Sequence, residues 1–98
     1  MNFQTDKIKS YVGFAIKSKQ IVIGTDDILK SKNAKVIMVS SKLGDSSKKK
    51  LETYAQQKKC DLFEIESDEL EKIINNESIM AFAVTDENLA KAIKNNIN

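Results

Sequence analysis

The stretch best suited to chemistry is Ile21-Val22-Ile23-Gly24-Thr25-Asp26-Asp27. A short β-branched run ends in glycine, and a helix-opening sequence follows at once. Such a strand-to-helix junction points backbone N–H groups and the positive end of a helix dipole outward, toward an anion. Gly24 has no Cβ, so a second backbone or a nucleotide base can approach it closely. The same residues also make an ordinary turn. Asp26 and Asp27 are adjacent carboxylates, a type that binds Mg²⁺ or shares a proton. Both also fall in the first turn of the helix, where acids are stabilising without any ligand. A third carboxylate at usable spacing is not evident, so capping is the favoured reading and no metal is expected.

Lysines recur in two further places. Lys48-Lys49-Lys50 opens a predicted helix and Lys58-Lys59 closes it. Three successive helical residues fan across about 200°, so at most two can serve one phosphate track. All 16 basic residues are lysine. Lysine neutralises phosphate as a point charge but lacks the planar fork with which arginine reads guanine edges. Cys60 is the one cysteine, and the chain has no histidine to activate it. With no glycine-rich phosphate loop either, the chain reads as non-catalytic and free of cofactors. Tyr11 and Tyr54 read as packing residues, because no exposed aromatic platform for stacking bases is patterned.

Ninety-eight residues suit one domain spanning 1–98, and 41% hydrophobic with 31% charged residues suits a globular one. The longest apolar run, Ile79–Val84, is far below the ~20 residues of a membrane span. The N-terminus has no apolar leader core, so a cytoplasmic protein is expected. The net charge of +2 hides an asymmetry. Residues 1–60 hold 13 lysines against five acids, and residues 61–98 hold three lysines against nine acids. A basic half on a small domain suggests a polyanion partner, most often nucleic acid.

These residues must be positioned by alternating elements. Ile8, Tyr11, Val12, Ala15 and Ile16 recur at helical spacing, predicting a helix over 5–18. A strand over 21–23 leads into a short helix from Thr25, read as its N-cap, to about Lys32. A Val- and Ile-rich strand follows over 34–39, then a loop to Asp45 and a helix over 46–59. Asp61–Ile65 alternates as a strand, with Leu62 on one side and Phe63 and Ile65 on the other or spanning both. Ser67 is read as the cap of a helix holding Leu70, Ile73 and Ile74. Ile79–Val84 is the most buried strand candidate, and Thr85 is read as the cap of the last helix, with Leu89, Ala90 and Ile93 inward. Fraying is expected at the asparagine-rich tail. A helix and then four strands alternating with helices predict an α/β domain with helices on both faces of one small sheet.

Several segments together resemble a known family. They are Tyr11-Val12-Gly13-Phe14-Ala15, Gly24 with Lys30 six residues on, Ala34-Lys35-Val36-Ile37-Met38-Val39, Ser47-Lys48-Lys49-Lys50-Leu51, Leu70 to Ile74, and Ala83-Val84-Thr85-Asp86. Their order and spacing resemble the ribosomal protein L-seven-Ae family of kink-turn RNA binders, over about residues 6–94. The lysine-rich helix start and the Ala-Val-Thr-Asp close are similar to its bacterial YlxQ-like branch. The resemblance implies a three-layer α/β/α sandwich around a small four-stranded mixed sheet. The family's motif Gly-x-Asn-Glu-x-x-Lys corresponds here to Gly24-Thr25-Asp26-Asp27-Ile28-Leu29-Lys30. Glycine and lysine match, while Asp26 stands for the Asn and Asp27 for the Glu. The family's second RNA-contacting loop is mostly apolar, and here Asn75-Asn76-Glu77-Ser78 is polar and acidic.

Carried over by position, the resemblance implies Gly24 and Thr25 as backbone contacts, Lys30 on phosphate and Asp27 as a base acceptor. Asp26 lies in the same RNA-facing turn. Asn75 and Asn76 reach RNA from the adjoining loop, and Lys32 and Lys35, with Lys17 and Lys19, supply longer-range attraction. The expected function is a non-catalytic, ribosome- or structured-RNA-associated RNA-binding protein. Its expected partners are kink-turn or ribosomal RNA together with ribosomal or translation proteins, with no membrane and a monomeric state. The alternative is a protein-interaction module on the same fold with weakened RNA affinity, motivated by Asp26, Asp27 and the acidic stretch over 61–77.

Overall fold

In the computed structural model, which describes residues 2–98, helices and strands alternate along the chain. The elements are α1 (Thr5–Lys17), β1 (Ile21–Ile23), α2 (Thr25–Lys30), β2 (Val36–Ser40) and α3 (Asp45–Lys58), followed by β3 (Asp61–Ile65), α4 (Ser67–Ile74), β4 (Ala81–Val84) and α5 (Glu87–Asn95). The four strands form one sheet in the order β1-β4-β2-β3. β2 and β3 are parallel, with Val36 opposite Asp61, whereas β4 runs antiparallel to both β1 and β2. The sheet is therefore mixed, as the family resemblance implies.

The central strands β2 and β4 are buried at every residue, which is why both read as unbroken apolar runs. Their side chains still alternate between the two faces. Val36, Met38, Phe82 and Val84 join Ile8, Val12, Ile65, Leu70, Ile73 and Ile93 under α1, α4 and α5. Ile37, Val39, Ala81 and Ala83 join Ile28, Leu51, Tyr54 and Ala55 under α2 and α3. Helices thus cover both faces, completing a three-layer α/β/α sandwich. Phe82, fully buried, contributes about 1.5–3 kcal/mol by leaving water. A one-residue slip of β4 would exchange its alanine face with its Phe/Val face, so register is strongly specified.

Three caps differ from expectation. Gly24, and not Thr25, is the N-cap of α2, with φ +94° and ψ 148°. That backbone region is essentially closed to residues with a Cβ. Asp86, and not Thr85, caps α5, its Oδ2 accepting from Leu89 N at 2.8 Å. An ionised acceptor at the positive end of a helix is the stronger cap. Thr85 is used elsewhere: its Oγ1 donates to Gln20 Oε1 at 2.9 Å and joins the start of β1 to the end of β4. Ser67 already lies inside α4, where its backbone N–H donates to Ser41 Oγ at 3.2 Å.

The tail also differs. Asn2 N–H donates to Asn98 O at 2.6 Å and Asn98 N–H donates back to Asn2 O at 2.7 Å. Phe3 and Ile97 form an antiparallel bridge and both pack on the core beneath α1, α4 and α5. Backbone pairing and two apolar anchors hold a segment whose composition alone suggests fraying.

At Gly24 an added Cβ would meet nothing within 4 Å, so the backbone angle alone penalises substitution. Gly24→Ala is expected to lose about 1–3 kcal/mol of stability, read as a lower denaturant midpoint at unchanged slope. A variant as stable as the parent would contradict the positive φ.

Candidate nucleic-acid interface

Three strands end, and the fourth begins, at one end of the sheet. Gly24 N–H donates to Ala81 O at 2.9 Å, Ser40 N–H to Met80 O at 2.7 Å, and Ser41 N–H to Ile65 O at 2.8 Å. These bonds gather the Gly24 turn, the loop over 41–44, the start of α4 and the end of the loop over 75–80. No side chain caps α2, so the first-turn N–H groups beyond Gly24 lack a side-chain acceptor.

The adjacent acids separate once the helix forms. Asp27 and Lys30, one turn apart, line a shallow groove along the outer edge of β1 with Ile21, Val22 and Ile23. Asp26, about 100° round the helix, does not line that groove. Asp26, Asp27 and Lys30 are all exposed. Among the described residues none of the three forms an ion pair within 4.0 Å. Lys32 continues the groove at the far end of α2. Ile23, 40% exposed at the edge beside Gly24, adds an apolar surface that charge patterning could not reveal.

Asn75 and Asn76 head the loop that returns to β4. Asn75 ends α4 in a left-handed conformation at φ 58°. The Oδ1 of Asn76 accepts from Ser78 N at 2.9 Å and Ser78 Oγ at 2.7 Å, so its carboxamide N–H₂ remains available as a donor. The Gly24 N–H donates not to Asn75 or Asn76 but to Ala81 O, further along the chain. Asp68, Glu71 and Glu77 face a cleft at this end that holds one lysine, Lys42.

Lys35 lies elsewhere. It precedes β2, its N–H donating to Val84 O at 2.9 Å, and so sits at the opposite end of the sheet from Gly24. Lys17 and Lys19 precede β1 at that same end. Of the lysine triplet, Lys48 turns inward, with Nζ 3.0 Å from Ser41 O and 3.3 Å from Glu64 Oε1. Lys49 and Lys50 face outward along the cleft between α2 and α3. The triplet therefore splits as helical fanning requires.

Burial pushes the Cys60 thiol above its ordinary pKa, and the neighbouring Asp61 carboxylate adds to this, against smaller opposing pulls from a backbone hydrogen bond and from Lys94 and Lys35. Cys60 is thus a thiol, and a poor nucleophile, at neutral pH. Among the described residues no three His, Cys, Asp or Glu side chains are grouped closely enough to hold a metal ion. Among the same residues no helix is long and apolar enough to cross a membrane.

Fold and site together define a small α/β/α domain whose sheet end carries an open glycine turn flanked by a polar groove. Residues 6–94 match the ribosomal protein L7Ae/L30e/S12e/Gadd45 family, and the chain belongs to that family. A solved structure of a protein with unknown function from Bacillus halodurans shares the fold at a TM-score of 0.80. Its identity is 19%, over 91% of this chain and 94% of that one. No curated protein sequence matches significantly.

Alkylation of Cys60 by iodoacetamide near pH 8 is expected to be slower than that of an unstructured cysteine peptide, because less of it is thiolate. Asp61→Asn should accelerate the reaction by removing one cause of the raised pKa. A parent rate equal to that of the peptide would overturn this account.

Proposed function

We propose that this protein binds structured RNA without catalysing a reaction, and that its preferred target is a kinked or bulged helix. Family membership supports the RNA-binding, ribosomal-protein type of function. The observation that carries the finer reading is the Gly24 turn, held open at φ +94° against Ala81 with Lys30 and Asp27 on one groove beside it. In this reading the Gly24–Thr25 backbone lies against the RNA. Lys30 neutralises a phosphate, and Asp27 accepts from the donor edge of a guanine. The free carboxamide donor of Asn76, with Asn75, reaches RNA from the adjoining loop. Lys32 extends the phosphate track, and Lys35 acts only at long range. The Ser47–Leu51 and Ala83–Asp86 segments support a place in the YlxQ-like branch, and a cytoplasmic, translation-linked role follows from the same reading.

A second reading is a protein-interaction module. The acids Asp68, Glu71 and Glu77 around Lys42 favour it, because they set negative charge beside the surface that would meet phosphates.

Fluorescence anisotropy with a kink-turn RNA and a matched straight duplex, at two salt concentrations, tests the first reading. Clear preference for the kink-turn is expected. Lys30→Ala should weaken binding at least tenfold, about 1.4 kcal/mol. Asp26→Asn should strengthen it, because it removes a negative charge and restores a donor. Both side chains are exposed, so neither variant disturbs the core. Equal binding to both RNAs that vanishes at higher salt would leave only general lysine attraction and overturn the reading.

A further inference from the structure

The end of the sheet opposite Gly24 holds a second feature that no linear motif announces. Lys32 and Lys35 from the approach to β2, Lys58 and Lys59 from the end of α3, and Lys91 and Lys94 from α5 line one concavity of about 270 Å³. Parallel pairing of β2 with β3 brings the first two stretches side by side, since Val36 lies opposite Asp61. Ala34, Cys60 and Ala90 also line the concavity, and Glu87 is the one acid that does. Lys94 is paired with Asp61 at 3.1 Å. Among the described residues the other five lysines form no ion pair within 4.0 Å, and all five are exposed.

Five unpaired ammonium groups around one hollow repel one another, and a concave wall concentrates their field. An external anion relieves that repulsion. The lining also limits which anion fits. It offers no aromatic ring to stack a base and no guanidinium to read one, so it recognises closely spaced phosphates as charges and carries no sequence information. The two ends of the sheet are about 17 Å apart, the length of a five-residue strand. The acids Asp68, Glu71 and Glu77 gather at the Gly24 end, so the basin is the more positive of the two ends.

We infer that this basin is a second RNA contact, taking the phosphate backbone of a segment distinct from the one at Gly24, so that one small domain holds two stretches of RNA backbone. The inference rests on the RNA-binding reading above; the basin shares Lys32 with the groove beside Gly24, while Lys35, Lys58, Lys59, Lys91 and Lys94 line the basin and not that groove. The test is an amide-resolved NMR titration of the full chain at low salt with kink-turn RNA, beside Lys35→Gln/Lys58→Gln/Lys91→Gln, three exposed neutral replacements. RNA should move signals at 32–35, 58–60 and 90–94 as well as at 24–30. The triple variant should keep a folded spectrum and the 24–30 shifts, lose the others, bind at least tenfold more weakly, and show a salt slope shallower by about 2–3.

Shifts confined to 24–30 in the parent protein would overturn the second contact and leave the first intact. Shifts confined to the basin would support it and count against the Gly24 surface. Silence at both sets would overturn both readings. Shifts at the basin with tripolyphosphate but not RNA would overturn the RNA assignment in favour of a small polyphosphate. Equal shifts with a poly-glutamate peptide of matched charge would overturn the assignment to phosphate.

Discussion

Everything else in this domain depends on the insertion of β4 between β1 and β2. The strand arrives last in the sequence, yet it is the one that joins the two halves of the sheet. Its pairing places Ala81 and Ala83 on one face and Phe82 and Val84 on the other. The small face lets α2 and α3 approach closely, and the large face fills the space beneath α1, α4 and α5. Met80, just before its start, and Ala81, its first residue, accept hydrogen bonds from Ser40 and Gly24. One buried strand therefore fixes the core and holds the glycine turn and the loop over 75–80 together. Damage to its packing should reach the candidate interface without any change in the interface residues themselves.

The mixed sheet also has a consequence for charge. Because β2 and β3 are parallel, the segments before them emerge together, and so do the segments after them. The first pair carries Lys32, Lys35, Lys58 and Lys59, and the second leads toward Glu66, Asp68 and Glu71. Lysines thus gather at the sheet end before β2 and β3, and acids at the other end, where Lys42 and Lys48 lie among them. α5 reinforces the contrast by bringing Lys91 and Lys94 to the basic end. An antiparallel β2–β3 pair would have placed lysines and acids together and cancelled much of the field.

Element order was legible because hydrophobic period reports it directly. Ile8, Val12 and Ala15 recur at helical spacing, and Leu62 and Phe63 alternate, whatever their partners are. The turn at Gly24 was legible for the same reason, being a local event between a β-branched run and two acids. Caps were less so. Thr85 and Ser67 have the composition of caps, but each is engaged by a distant partner, Gln20 for Thr85 and Ser41 for Ser67, and the N-cap position falls to the residue beside it. The tail was misread because Asn96 and Asn98 look soluble, while the bridge that holds them lies at residues 2–4. Sequence distance also grouped Lys35 with Lys30, but α2 leads away from Gly24 and the loop over 31–35 brings Lys35 to the other end of the sheet.

The lysine basin shows what kind of site a single sequence hides most effectively. Its members come from three stretches, the first two separated by β2 and most of α3 and the last two by β3, α4 and β4, and the lysines at helix ends have an ordinary local explanation. Lys58 and Lys94 fall in last helical turns, where they complement the helix dipole, and Lys59 ends its helix in a left-handed conformation. Those local roles are genuine and worth only a few tenths of a kcal/mol to about 1 kcal/mol each. They account for Lys58 and Lys94 taken singly. They do not account for five unpaired lysines around one hollow, because local stabilisation is indifferent to whether the charges converge. Convergence is a property of the β2–β3 pairing and the placement of α5. A function that depends on converging charge is therefore written in topology, and the fold has to be known before the residues can be grouped.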